Sequence, residues 1–192
     1  MNKSTIQFRL KLFVSIILFA VTLTLSLQAF NTVLAFSAYT INRDTARTIT
    51  SFKSHVNGSN EILRKAKGLL IMPAIYQAGF GVGGKYGEGA LQINKKTVGY
   101  YNLIGASLGF QLGGQKKSMI VAFMDDKVLS DFRSSQGYEF GADASAVAIT
   151  AGGDGRLNIN DMNKPILVFV IDQKGLMYNL SLKGSKFNKI NK

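Results

Sequence analysis

The sequence has no cysteine and no tryptophan, and its 192 residues include one histidine and two prolines. Without cysteine the chain cannot form a disulfide, a thiol nucleophile or a Cys-ligated zinc site, and it cannot be a lipoprotein acylated on cysteine. A Ser-His-Asp triad would have to use His55, which lies in the polar stretch FKSHVNGSN, a predicted loop or helix end. We therefore do not expect a triad, and we expect no metal and no cofactor.

The first 37 residues have the layout of a secretory signal peptide. A basic start is followed by an uninterrupted run over 12–27 that contains only apolar residues, serine and threonine. Small residues then offer cleavage sites after Ala35 or Ser37. The alternative is an uncleaved membrane anchor, although polar residues interrupt such a span. We expect a signal peptide over 1–37 and a single domain over 38–192 that is exported and is periplasmic or envelope-associated.

The charge of the chain indicates an anionic partner. Its formal net charge is +12 and its calculated isoelectric point is about 9.9. Such an excess favours anionic lipid head groups, lipopolysaccharide phosphates or nucleic acid as partners. For an exported protein we expect lipid and no nucleic acid, and the alternative is that the excess only keeps the surface solvated.

The stretch GFGVGGKYGEGAL, residues 79–91, resembles a phosphate-binding loop in its spacing only. Gly79, Gly81 and Gly84 satisfy G-x-G-x-x-G, but such loops need a helix to begin directly after them. Here the chain continues into sequence typical of a strand, and Tyr86 stands where a Walker A motif needs Ser or Thr. We therefore expect no nucleotide, and we interpret the glycines as residues that let a sheet bend sharply.

The periodicity predicts short helices followed by strands. Ile49, Phe52 and Val56 recur at helical spacing in a helix capped by Asp44, and a second helix is predicted over 60–66 after an Asn-Gly-Ser turn. A third short helix should begin at Asp125 or Asp126 and continue to Arg133.

Alternation with a period of two predicts the strands. Residues 104–113 alternate most clearly, with large apolar side chains on one face and glycine or small residues on the other. The other predicted strands are 69–72, ending at Pro73; 118–124; 138–150; and a hairpin of 165–171 with 176–182, followed by a frayed basic tail. The predicted fold class is α+β, with short N-terminal helices packed on a glycine-rich, strongly bent, mostly antiparallel or barrel-like sheet.

Five blocks of sequence carry a resemblance to a known family. They are AKGLLIMP, GFGVGGKYGEGAL, YYNLIGASLGFQLGGQKKS, FMDDKVLSDFRSS and GYEFGADASA. In this order and spacing they resemble the SYLF domain family, whose bacterial members are called lipid-binding or YSC84-related, over about 66–182. The resemblance implies a non-enzymatic module that binds anionic lipid at a membrane. Eukaryotic relatives also bind actin.

The resemblance implies that lipid contact comes from a basic amphipathic stretch at the start of the domain. Here that stretch is ILRKAK, residues 62–67, in which Ile62 and Leu63 would insert into the membrane while basic groups meet phosphates. The alternative is that the apolar pair packs on the sheet. The predicted lipid-binding residues are Arg64, Lys65, Lys67, Lys95, Lys96, Lys116 and Lys117, of which the last four are expected at turns.

Two carboxylates, Glu88 and Asp143, stand among glycines and small residues where surface charge is not expected. We interpret both as structural buried carboxylates that accept hydrogen bonds from backbone N–H groups. A hydrolase using the pair is the alternative, and it requires both in one pocket. The remaining alternative is a structural or protein-interaction module whose basic face meets an envelope protein.

Overall fold

The computed structural model describes residues 36–139, 146–150, 164–174 and 184–192, with the backbone alone for 80–82, 107–113, 146–150 and 172–174. The chain divides after Phe36 into two units, and every element below belongs to the second, Ser37–Lys192. Residues 1–35 of the predicted signal peptide, Asp143 and the whole second strand of the predicted C-terminal hairpin, 176–182, lie outside the described residues.

The described helices are α1, Ala38–His55; α2, Ser59–Lys65; and α3, Asp126–Ser134. The prediction of α3 is confirmed, because the Asp125 side chain accepts a hydrogen bond from the Val128 N–H at 3.0 Å. The expected cap of α1 is wrong. Ser37 caps it, and its hydroxyl accepts a hydrogen bond from the Thr40 N–H at 3.2 Å, so the helix begins well before Asp44.

Two long strands, β1 over Gly68–Ile93 and β2 over Lys96–Phe123, form one antiparallel hairpin. The sequence predicted separate short strands, and Pro73 was expected to end the first. Instead the register shifts between Met72 and Ile75. Such an irregularity accommodates a proline that cannot donate a hydrogen bond to the ladder. The Ser118 hydroxyl donates to the Pro73 carbonyl at 2.8 Å.

Four further strands complete the described sheet: β3, Tyr138–Glu139; β4, Ala146–Thr150; β5, Ile166–Lys174; and β6, Ser185–Ile190. Their order is β3-β6-β2-β5-β4, with β1 also paired to β2. Only β4 and β5 pair in parallel among the described strands. The expected frayed tail is wrong, because β6 pairs with β2 and Phe187 is buried. The strand predicted to end at Ile171 continues to Lys174.

The sheet curls into a half-barrel, which confirms the predicted α+β class with a strongly bent sheet. The two ends of β1 approach one another across the curl. A Cβ at Gly89 would meet the Ile71 carbonyl oxygen and the Met72 sulfur, and a Cβ at Gly87 would lie 2.7 Å from the Ala74 carbonyl oxygen. Only glycine permits backbones to approach this closely. The glycines therefore act as structural residues in a strand.

The sheet has two buried faces. The inner face, which the curl encloses, packs Leu70, Met72, Leu103 and Val121 together with Leu129 and Phe132 of α3. The outer face carries Ile71, Ile120, Leu167 and Phe169 and packs against Phe52 of α1 and Ile62 of α2. No helix within the described ranges combines the length and the apolar character that a membrane span requires.

Candidate functional site

The turn between β1 and β2 presents two lysines to solvent. Asn94 and Lys95 form the turn with φ angles of 51° and 64°, and Lys95 and Lys96 are both exposed. Two-residue hairpin turns that need positive φ at both positions favour glycine at the second, because a side chain there is strained. This chain has lysine at that position. Neither lysine forms an ion pair within the described part of the chain.

The start of α1 is held against this hairpin by one side chain. The Asn42 amide donates a hydrogen bond to the Tyr100 hydroxyl at 2.8 Å, and its carbonyl oxygen accepts one from the Thr97 hydroxyl at 3.0 Å. Two large apolar side chains remain exposed beside these contacts, Tyr39 at 76% and Val98 at 44%. Tyr39 precedes Asn42 by three residues, so both lie on the same side of the helix.

These elements define one surface, here named the hairpin face. Its members are Tyr39, Lys95, Lys96 and Val98. It combines exposed apolar groups with basic groups, which is the composition expected of a surface that binds anionic interfaces. Sequence reasoning identified Lys95 and Lys96 but missed Tyr39 and Val98 as part of the surface. The signal that could have found Val98 is its position two residues beyond a predicted turn.

The predicted basic stretch at the start of the domain lies at the junction of α2 and β1. Arg64 is exposed, Lys65 pairs with Glu61 at 2.7 Å, and Lys67 pairs with Asp126 at 3.1 Å. A Cβ at Gly68 would lie 3.6 Å from the Gln92 carbonyl oxygen. The junction therefore lies beside the end of β1 that leads into the Lys95 turn.

Membrane insertion of the apolar pair in this stretch does not fit the structure. Ile62 is fully buried in the outer core with Phe52 and Val56, and Leu63 packs partly buried against the same cluster. A helix of seven residues with its apolar side against the sheet has no apolar face left for a membrane. The alternative interpretation, packing on the sheet, is the correct one.

The predicted pair Lys116 and Lys117 is not at a turn. Both residues lie inside β2, paired with Tyr76 and Ile75 of β1. Lys116 is exposed, with its ammonium 5.7 Å from the centre of the Tyr76 ring. Lys117 points to the inner face and is 1% exposed. Alternation along the strand places neighbouring side chains on opposite faces, which separates the two lysines.

Lys117 is one of several buried polar residues on the inner face, with Gln77, Lys85 and Gln115. Its ammonium donates to the side-chain Oε1 of Gln77 at 3.2 Å, and the Gln115 side-chain amide donates to the same oxygen at 3.4 Å. Burial and the positive charge of Lys85 lower the pKa of Lys117 to about 8. Burial also lowers the pKa of Lys85.

Glu88 is buried, at 4% exposure, and in the folded domain it lies close to the C-terminal residue Lys192. One of its oxygens accepts a hydrogen bond from the Tyr86 hydroxyl at 2.6 Å, and the other lies 2.8 Å from the Lys192 ammonium. Burial, together with this hydrogen bond, raises the pKa of Tyr86. The side chain of the last residue thus neutralises a buried carboxylate of β1.

No set of carboxylates and imidazoles in the described ranges could hold a metal ion. His55 lies at the exposed end of α1, where its Nδ1 is 2.8 Å from the Ser51 carbonyl oxygen. The hydrolase hypothesis needs Glu88 and Asp143 together, and Asp143 lies outside the described residues.

A protein-family model described as "Ysc84: Las17-binding protein actin regulator" matches residues 104–192. The matched part of the chain is similar to this family, the Ysc84/SYLF domain family, and the match supports a SYLF-domain assignment. It begins within β2 and includes α3 and β3 to β6, so the hairpin face lies before the matched residues. SYLF domains are binding modules associated with lipid binding and with actin regulation. A search of curated proteins returned no match.

Proposed function

We propose that this SYLF domain is an exported module that binds anionic phospholipid at an envelope membrane, and that the hairpin face makes the contact. The observation that carries the proposal is the exposure of Val98, two residues beyond Lys96, together with that of Tyr39 on the first turn of the helix that Asn42 holds against this hairpin. Exposed apolar groups enter the head-group region, while lysines meet phosphates at about 1 kcal/mol each.

The strained turn supports the same surface. Lys95 adopts φ 64° in a turn where glycine would be more stable by roughly 1 kcal/mol. Strain of this kind persists where surrounding structure holds it, and it clusters at binding sites. Lysine at the tip of the hairpin places a positive charge at the point of the turn, which glycine would not supply.

The α2–β1 junction extends the positive field toward the hairpin. Arg64 is exposed, whereas Lys65 and Lys67 are balanced by Glu61 and Asp126. Exposed ion pairs of this type contribute little to stability and are easily exchanged for phosphate partners. We expect the junction to contribute less to binding than the two hairpin lysines.

Export is supported by the sequence of the first 37 residues, and the structure bears on where cleavage should occur. The Ser37 hydroxyl caps α1 through the Thr40 N–H at 3.2 Å. Cleavage after Ala35 keeps this cap, whereas cleavage after Ser37 removes it at a cost of about 1 kcal/mol. We expect the mature protein isolated from the cell envelope to begin at Phe36, as measured by intact mass.

A protein-interaction module of the envelope is the second candidate. The family description names protein binding and actin regulation, and the mixed charge at the α2–β1 junction would suit a protein surface. In that case the hairpin face would bind an envelope protein, and lipid composition would have no effect.

Vesicle flotation of the mature protein, Phe36–Lys192, separates the two candidates. Binding should rise with phosphatidylglycerol content and weaken with salt, because the attraction is electrostatic. The Lys95→Gln/Lys96→Gln variant should bind about 30-fold more weakly, from two lost contacts of about 1 kcal/mol each. A Lys53→Gln/Lys186→Gln variant loses the same charge elsewhere and should bind as the wild type does. Equal binding by both variants would contradict the assignment to the hairpin face, and no flotation with any vesicle would contradict lipid binding.

A further inference from the structure

The inner face of the half-barrel holds a buried ammonium group that has no negative partner among the described residues. Lys117 is 1% exposed, and within the described residues it forms no ion pair. Its hydrogen-bond partner is the side-chain Oε1 of Gln77, a neutral amide oxygen, at 3.2 Å. Burying a charge without a counter-charge is costly, because an amide dipole replaces only part of the lost hydration.

A second buried polar atom on the same face is the Ser185 hydroxyl oxygen. Ser185 is 1% exposed, and its hydroxyl oxygen has no hydrogen-bond partner within the described residues. Buried hydroxyl groups are nearly always hydrogen-bonded, so such an atom points to a ligand. Ser185 pairs with Gly105 of β2, and Gly105 in turn pairs with Lys85 of β1. The three residues therefore form one row across the inner face.

This row brings the Lys85 side chain toward Ser185. Gly105 carries no side chain, and a Cβ at that position would meet the Lys85 stem. The Lys85 side chain thus lies over Gly105, between β1 and Ser185. Two residues further along β1, a Cβ at Gly87 would lie 3.0 Å from the Ile75 side chain, and Ile75 pairs with Lys117. The curl of the sheet therefore brings the Lys85 end of the row close to Lys117, and the charge of Lys85 accordingly lowers the pKa of Lys117. Two ammonium groups, two amide side chains and a hydroxyl consequently share one region above the apolar inner core.

We propose that this region is a binding site for a phosphate group, in which Lys117 and Lys85 supply positive charge and the Ser185 hydroxyl donates a hydrogen bond. A phosphate carries up to two negative charges and several acceptor oxygens, which matches the donors available. Gln77 and Lys85 retain 7% and 6% exposure and so lie closer to solvent than Lys117. The site uses none of the hairpin-face residues and does not rest on the proposed membrane contact.

The phosphate can be inorganic or can belong to a phospholipid head group, because the recognising chemistry is the same. Thermal unfolding of the full-length protein tests both sources. One arm adds inorganic phosphate against chloride at equal ionic strength, and the other adds dioctanoyl phosphatidic acid against dioctanoyl phosphatidylcholine. We expect at least one phosphate source to raise Tm by about 3 °C or more at saturation.

Lys117→Met and Lys116→Met form the matched pair of variants. Methionine keeps the length of the buried side chain and removes its charge, so the Lys117 variant should remain folded and should lose the rise in Tm. The Lys116 variant should keep it, because that neighbour faces outward. Ser185→Ala should reduce the rise without abolishing it. An effect of inorganic phosphate would identify a free anion site, and an effect of phosphatidic acid alone would identify a lipid head-group site.

No rise with either source would overturn the proposal, as would a rise that Lys117→Met retains in full. Either failure leaves the hairpin face untouched, since Lys95→Gln/Lys96→Gln should show the same Tm response as the wild type. Loss of vesicle flotation with an intact Tm response would contradict the membrane contact alone.

Discussion

Replacing Lys117 with methionine should change how stability depends on pH. In the folded protein the pKa of Lys117 is about 8, against an ordinary value of 10.5. Each unit of difference corresponds to about 1.4 kcal/mol, so the charged amine costs about 3 kcal/mol. Because the variant removes this charge while filling nearly the same volume, it should be more stable than the wild type at neutral pH by up to about 3 kcal/mol.

The sign follows from proton binding in the two states. Between about pH 8 and 10.5 the unfolded amine keeps its proton while the folded amine has lost it. The unfolded state then binds more protons, so the wild type gains stability as pH rises through this window. Below about pH 8 the full cost remains. Lys85 is present in both proteins, so the stability difference between them reports the burial of the Lys117 charge together with its repulsion by Lys85.

Urea unfolding in phosphate-free buffer, from about pH 7 to about pH 9.5, measures this difference. The advantage of Lys117→Met should be largest at the neutral end of this range and should shrink as the pH rises. Lys116→Met is the control and should follow the wild type at every pH. A Lys117→Met protein less stable than the wild type at neutral pH, or an advantage independent of pH, would refute the account of a buried unpaired charge.

Two further predictions concern substitutions to or from glycine. Lys95→Gly should raise the free energy of unfolding by about 1 kcal/mol, because glycine adopts the positive φ of the turn without strain. The same change should weaken binding to anionic vesicles about fivefold, since one basic contact is lost; a loss of stability would argue against a strained turn. Gly89→Ala should destabilise the domain by at least about 2 kcal/mol in urea unfolding, because its Cβ would meet the Ile71 carbonyl oxygen. Gly114→Ala, where a Cβ lies 3.9 Å from the nearest atom, should cost far less, and equal losses at both positions would count against the close approach of the two ends of β1.

Local signals in the sequence were sufficient to predict where α2 and α3 begin. The Asp125 cap of α3 and the Asn-Gly turn before α2 act within a few residues, and both predictions are confirmed. The cap of α1 was placed wrongly, because Asp44 and Ser37 are both residue types that cap helices and only Ser37 stands before the first helical residue. Asp44 instead pairs with Arg43 at 2.9 Å.

The strands show what local patterns leave undetermined. Alternation predicted strands on both sides of Lys116 and Lys117 but not their continuity, because a lysine pair is also typical of a turn. Reading the alternation through Lys117 to Met119 and Val121 would have placed that lysine on the inner face. Which face of a strand is buried also depends on how the strands pair and on what packs against the sheet, and the alternation alone does not determine either. Ile104, assigned to an apolar face from its alternation, is 48% exposed.

The tail illustrates the same dependence on distant contacts. Residues 183–192 are basic and rich in polar groups, which predicted a frayed end. Phe187 and Ser185 face inward, however, and β6 pairs with the first half of β2. Lys192 then reaches the buried Glu88 carboxylate at 2.8 Å. No spacing within the tail encodes a partner about 100 residues earlier in the chain.

The central claim is that the hairpin face contacts an anionic membrane, and the absence of tryptophan from the chain allows a direct measurement. Val98→Trp places a single tryptophan on the hairpin face, and Ser54→Trp places one at the exposed far end of α1. The fluorescence of the Val98→Trp protein should shift to the blue on addition of phosphatidylglycerol vesicles and stay unchanged with phosphatidylcholine, while that of the Ser54→Trp protein should not respond to either. Equal responses from the two variants, or no response of Val98→Trp to any vesicle, would contradict the claim.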